Sequence, residues 1–166
     1  MRFRLSLTAM LLASALGASA TQAQEPSSFR LPVFSPRGSA VVGLWQVYVS
    51  VRPCAAPTAL PTQFFAINAF QLGGTLSDAN SFPPASRGPG MGVWSYDPVY
   101  DKYHTRMQFA RFIDGVFDGV QDVRTDLTLS PDRQHTVARV HALVLNVDGS
   151  TRVELCGSAV GDRQNL

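Results

Sequence analysis

Lysine occurs once in this 166-residue chain, at Lys102, and glutamate twice, at Glu25 and Glu154. These residues ordinarily dress the exposed faces of helices, so their scarcity argues against a helical domain. Cysteine is scarce as well: Cys54 and Cys156 are the whole complement, too few for a disulfide-dense scaffold or a four-thiolate zinc site. Charge of one sign is also missing. The formal net charge is +2, and Arg2 and Arg4 account for it, since without them the 14 basic residues fall to 12 and match the 12 acidic ones. A neutral chain lacks the clustered cations that bind phosphate backbones or anionic lipid, which excludes nucleic acid as an expected partner.

Long hydrophobic runs are absent too. The opening MRFRLSLTAMLLASALGASATQAQ carries two arginines, an apolar run from Leu5 to Leu16 and then small residues. That run falls short of the roughly 20 residues a spanning helix needs, and its layout is that of a secretory signal peptide. Cleavage is expected after Ala20 or Ala23, with Ala23 favoured, so residues 1–23 are read as a leader. The protein is expected to be exported, periplasmic or secreted, with no transmembrane segment in its mature form. Residues 24–39 are broken by prolines and read as an extended arm packing through Phe29, Leu31 and Phe34. Residues 40–166 remain for a single domain, enough for one core and too few for two.

What is plentiful is valine, threonine, phenylalanine, glycine and proline, the vocabulary of strands and turns. In VVGLWQVYVSVRPC (41–54), Val41, Trp45, Val47, Val49 and Val51 share one face while Gln46, Tyr48, Ser50 and Arg52 take the other. Period two marks a strand with one buried side, and Pro53 ends it. Further strand patterns follow at 62–72, 75–80, 92–96, 102–112, 116–129, 136–147 and 150–160. They are punctuated by Gly73-Gly74, a Pro/Gly-rich loop at 81–91, Asp114-Gly115 and Asp148-Gly149. Asp-Gly pairs between strand patterns are strong hairpin signals. Eight strands joined by short turns leave no room for crossover helices. The sequence therefore predicts an all-β, eight-stranded antiparallel up-and-down barrel, with a Greek-key sandwich as the rival.

The two cysteines test closure. In an exported protein an even pair is most simply a disulfide, and here it links the first strand to the last. If these strands pair antiparallel, partner numbers have a nearly constant sum: 210 for Cys54 with Cys156, and 208 for Trp45 with Arg163. The same parity puts Trp45, Val47 and Val49 on one face with Val153, Leu155 and Ala159.

Gly43-Leu44-Trp45 opening the first strand, with Arg163 beyond the last, resembles the calycin and lipocalin pattern. The chain is also similar to small exported bacterial barrels of unassigned function that carry Gly-Val-Trp, here Gly92-Val93-Trp94, after a Gly/Pro loop. The resemblance implies that Trp45 plugs one end of the barrel, that the Arg163 guanidinium lies across its ring, and that Gly43, Trp45 and Arg163 form a closure cluster.

Catalytic signals are sparse. His135 and His141 stand about 20 Å apart on one strand, and His104 lies on another, so they do not converge on a metal. Asp118, Asp122 and Asp126 share a strand face with Arg124 and read as a solvated exterior. Neither a nucleophile elbow nor a phosphate-binding glycine loop occurs, and no cofactor or metal is implied. The interior depends on the Asp114-Gly115 turn. A two-residue turn pairs Phe112 with Phe117 and Gln108 with Gln121, placing His104, Arg106 and Gln108 inside as a polar lumen. A three-residue turn with a glycine bulge places Tyr103, Thr105, Met107 and Phe109 inside beside Phe117, Val123 and Leu127, and avoids burying Arg106. At Asp148-Gly149, a two-residue loop turns Ala138, Val140, Ala142 and Val144 inward, where small side chains leave space.

These features point to a non-enzymatic barrel binding a small apolar ligand in its lumen, with Phe70, Trp94, Met107, Phe109 and Phe117 as expected lining. The alternatives are a protease inhibitor or partner-binding barrel acting through the 24–39 arm and the 81–91 loop, and an isomerase or cyclase using His104, Arg106, Gln108 and Gln121.

Overall fold

A computed structural model describes residues 37–165. The expected leader and the arm up to residue 36 lie outside the described residues, and with them Phe29, Leu31 and Phe34. A short 3-10 turn, Gly38–Val41, leads into eight strands: β1 (Gly43–Pro53), β2 (Thr62–Phe70), β3 (Thr75–Asn80), β4 (Gly90–Asp97), β5 (Lys102–Ile113), β6 (Val116–Leu129), β7 (His135–Leu145) and β8 (Thr151–Gln164). Each pairs antiparallel with its neighbour in sequence, and β1 pairs with β8 to close the barrel. The sandwich rival is thereby excluded. Closure gives every strand among the described residues a neighbour on both sides, which removes the open margins of a sheet.

The seam between β1 and β8 holds one register from Trp45 opposite Arg163 to Pro53 opposite Leu155. Arg163 is thus inside β8 rather than beyond it, because the final strand runs four residues past the expected end at 160. Cys54 sits one residue past the last β1 pair, where its N–H donates to the Glu154 carbonyl at 2.9 Å. Its sulfur bonds that of Cys156 with the Cα atoms 4.9 Å apart, closing a separation of 102 residues. The departure from a strict constant sum arises because the bridge runs diagonally from the end of the ladder, not between directly opposed residues.

Two loops differ from expectation. β4 begins at Gly90, so the last two residues of the 81–91 segment are strand, and Arg87 bridges Arg111 of β5 just ahead of it. The β7–β8 connection occupies residues 146–150 rather than a two-residue turn, with a register shift at Val144/Leu145. The body of that hairpin keeps the expected inward set, and Ala138, Val140, Ala142 and Val144 are all buried.

One end of the barrel is filled with aromatic side chains. Trp45 is 1% exposed, and its indole N–H donates to the Val41 carbonyl at 2.8 Å. The Arg163 guanidinium stacks 4.3 Å from the ring centroid, an arrangement favoured by the ring quadrupole. It donates to the carbonyls of Val42 and Arg133, both at 2.8 Å, and of Ala40. Gly43 has φ +137°, and a Cβ there would lie 2.7 Å from Arg163 Nη1, so glycine is required for both backbone and space. Within this plug, Trp94 packs against Phe70 and Tyr103 with centroids 6.1 and 6.2 Å away, and Tyr96 packs on Tyr103 at 4.9 Å. Burial pushes the Tyr103 hydroxyl up to about 12.

The turn after β4 is tied to this end by charge. Arg37 Nε donates to Asp101 Oδ1 at 2.7 Å, and the Tyr96 hydroxyl donates to the same oxygen at 2.7 Å. The hydrogen bonds from Arg37 and then Tyr96 hold the Asp101 carboxyl down at about 2.

Two outcomes are expected. Replacing both cysteines by serine lowers unfolding free energy in urea by about 2–5 kcal/mol, the range for long bridged loops. The Asp101 folded value lies below its ordinary 3.8, so the stabilisation it gives is complete above 3.8 and lost as pH falls toward about 2. Asp101→Asn, followed by thermal melts across that window, removes this acid-dependent component. The component is small because the pair is largely exposed.

Candidate functional site

Between the aromatic plug and the opposite end lies a cavity of about 460 Å³. Its space comes from small side chains on adjoining and facing strands: Ala66 on β2, Ala138 and Ala142 on β7, and Ala159 on β8. Larger apolar groups complete the wall, with Phe70 and Leu76 toward the plug and Met107 and Phe109 on β5. Trp45 is its floor. At the far end the lining reaches Phe82, which is 40% exposed and stacks on Phe64 at 4.9 Å. The gradient from a sealed tryptophan to an exposed phenylalanine identifies that end as the mouth. It carries the 54–61 and 81–89 loops.

The lining is decided by a bulge. Ile113 pairs with Val116 and Phe112 with Phe117, as a two-residue Asp114-Gly115 turn requires, but Arg111 pairs with Gly119. The extra residue, Asp118, shifts the rest of β6 by one position, so that the apolar register holds from Arg111 back to Tyr103. Gly119 sits at the bulge with φ +122°, and a Cβ there would lie 2.1 Å from the Leu145 carbonyl oxygen. Neither sequence-based alternative had this form: the turn is the short one, and the bulge lies within the strand.

Of the expected lining residues, Phe70, Met107 and Phe109 reach the cavity. Trp94 does not. It is buried in the plug, where its indole N–H donates to the Gln71 carbonyl at 3.1 Å. Phe117 is also displaced: pairing with Phe112 ahead of the bulge turns it to the outer face, and it is 45% exposed. The polar-lumen alternative is corrected for three of its four residues. His104 bonds Asp126 at 2.7 Å, while Arg106 and Gln108 both donate to Asp122 at 2.9 Å, all on the outside of the barrel. Gln121 alone of that set lines the cavity. The physical reason is the one that disfavoured this register: outside, the Arg106 guanidinium stays half in water beside a carboxylate. The grouping of Cys54, Cys156 and His141 brings metal-ligand atom types within 4.8 Å of one another, but both sulfurs are committed to the disulfide.

A set of polar residues that the pattern reading missed crosses the wall near the mouth. Asp78 on β3 points inward opposite Asn68 of β2 and Gly90 of β4. Its Oδ1 accepts from Arg87 Nη2 at 2.7 Å, with the two side chains 2% and 6% exposed. Arg87 Nε donates to the Gly88 carbonyl at 2.9 Å, and the guanidinium lies 3.7 Å above the Phe109 ring. Burial raises the Asp78 carboxyl, against the opposing pull of Arg87. Gly90 makes room for the pair, since a Cβ there would sit 2.9 Å from Asp78 Oδ1 and 3.0 Å from Arg87 Nη2. Arg111, next along the wall, bonds Asp118 at 3.0 Å. Among the described residues, the buried Arg87 Nη1, Arg111 Nη1 and Asn68 Oδ1 have no hydrogen-bond partner. Asp78 was legible in retrospect, because period two places it on the face of buried Leu76. Arg87 lies in an irregular loop and gave no signal.

Fold and cavity together define a closed eight-stranded antiparallel barrel with a plugged floor, an apolar chamber and a polar strip near its mouth. No protein-family model matches the chain, and no curated protein matches it. Among solved structures, it is similar to the S-type phycobiliprotein lyase CPES from Guillardia theta, at 10% sequence identity and a TM-score of 0.39, covering 77% of this chain and 90% of that one.

The buried strip and the outer face separate by stability. Asp78→Ala strands Arg87 in the wall and costs about 3–5 kcal/mol in chemical denaturation. His104→Ala, on the solvated face, changes stability by about 0.5 kcal/mol or less.

Proposed function

We propose that this protein is an exported, non-enzymatic binding barrel that holds a small, predominantly apolar molecule in its lumen. The observation that carries the reading is the chamber of about 460 Å³ itself, enclosed by alanine, valine, leucine, phenylalanine and methionine side chains above Trp45. Its size lies within the range typical of small-molecule sites, and its charged groups Asp78, Arg87 and Arg111 lie near the mouth, where such groups can fix a ligand's orientation. The apolar part of the wall favours a ligand that covers it with dispersion contact. The Gly43, Trp45 and Arg163 cluster has a structural part in this reading, sealing the floor, and the lipocalin resemblance of these residues supports it. Export follows from the leader-like residues 1–23, and a disulfide between Cys54 and Cys156 suits an oxidising compartment.

The indole at the floor supplies the test. A neutral naphthylamine dye taken into the chamber quenches Trp45 emission and brightens its own. Ala142→Phe fills the chamber from β7 and weakens uptake about tenfold or more, while near-ultraviolet circular dichroism stays unchanged. Absence of dye and xenon uptake by the native protein rules the reading out. Mass measurement of the protein secreted by its native host locates the leader cleavage, with a mature start after Ala20 or Ala23 expected.

A further inference from the structure

Resting on the reading of the chamber as a ligand site, we propose that its ligand is an amphipathic organic anion, whose carboxylate head is held by Arg87 and Arg111 and whose apolar body extends toward Trp45. The argument begins with donor accounting. A guanidinium has five N–H donors and no acceptor. Arg87 spends Nε on the Gly88 carbonyl and Nη2 on Asp78, while Nη1 is buried without a partner among the described residues. Arg111 directs Nη2 to Asp118, and its Nη1 is in the same condition. The two residues face each other as an isolated antiparallel bridge, and both line the chamber. Unsatisfied buried donors are costly, and what satisfies them is an acceptor.

Charge selects the kind of acceptor. Arg87 and Arg111 contribute two guanidinium groups to the chamber wall, and Asp78 is the single carboxylate among the residues lining it. Arg87 is already paired with Asp78, while Arg111 shares the one carboxylate of Asp118 with Arg152, so this end of the wall carries an excess of positive charge. A cationic head is repelled and a neutral one leaves that excess uncompensated. A carboxylate matches the planar fork of a guanidinium, and as a monoanion it costs less to desolvate here than a phosphate dianion. Position selects the rest of the molecule. The Arg87 guanidinium lies directly over Phe109, and Met107 and Trp45 continue the apolar wall inward, so a head at the arginines places an attached hydrocarbon in the chamber.

The test compares decanoate and dodecanoate with the alcohols and primary amines of matching length, titrated calorimetrically into the intact, disulfide-bonded protein. The carboxylates are expected to bind about tenfold or more tightly than the alcohols, with the amines weakest. Arg111→Gln, which leaves Asp118 paired with Arg152, reduces the preference for carboxylate over alcohol to about threefold or less. The paired change Asp78→Asn with Arg87→Gln keeps a neutral hydrogen-bonding couple in the wall and lowers the same preference. Alcohols binding as tightly as carboxylates, or a preference unaltered by Arg111→Gln, overturns the head assignment while leaving chamber binding intact. Failure of every chain and of the neutral dye to bind overturns both readings.

Discussion

The pairing of β1 with β8 is the constraint on which the rest of the molecule depends. Neighbouring strands in this chain are linked by turns, and turns alone produce a meander with two open margins. The seam joins residues more than a hundred positions apart, so its closure entropy is compensated by contacts made far from the turns. Those contacts sit at its two ends. At one, Trp45 is held between the Val41 carbonyl and the Arg163 guanidinium, and that guanidinium in turn collects the carbonyls that the 3-10 segment leaves over. At the other, the disulfide fixes the ladder where Pro53 can donate no hydrogen bond. With the seam set, the inward faces of β1 and β8 are fixed, and the hairpin registers with their bulges carry that parity around the circle.

Much of this was legible from residue order. Alternation located the eight strands, and the two Asp-Gly pairs and Gly73-Gly74 placed hairpins, because these features act locally. The joining of first strand to last was legible because the cysteines and the Trp45/Arg163 couple fall on nearly the same pairing sum. The strand ends were less so: β8 runs on through Arg163 because β1 and β7 offer it partners, a tertiary cause with no local trace.

The site was read less completely, for identifiable reasons. Phe70, Met107 and Phe109 follow from parity once the β5–β6 register is known. Phe117 was misplaced because that register is set by a bulge at Asp118–Gly119, and a bulge inverts the facing of residues on one side of it. Trp94 belongs to the inward face, as expected, but its depth in the plug depends on how Phe70 and Tyr103 stack around it, which no one-dimensional pattern contains. Arg87 was invisible because its role depends on a loop folding back to lay a cation over Phe109 beside a buried aspartate. The deepest chemistry of the wall thus resides in the segment with the weakest periodic signal.

The position of the disulfide carries one more implication. It lies at the mouth, at the opposite end of the same seam from the indole floor, so the two staves that topology joins last are clamped top and bottom. A cylinder fastened in this way resists parting lengthwise. The open end is the rim, where the 81–89 loop brings Phe82 against Phe64. Loss of the bridge would free only the rim end of that seam, because the continuous pairing from Leu44 to Pro53 and the indole floor still hold the two staves together.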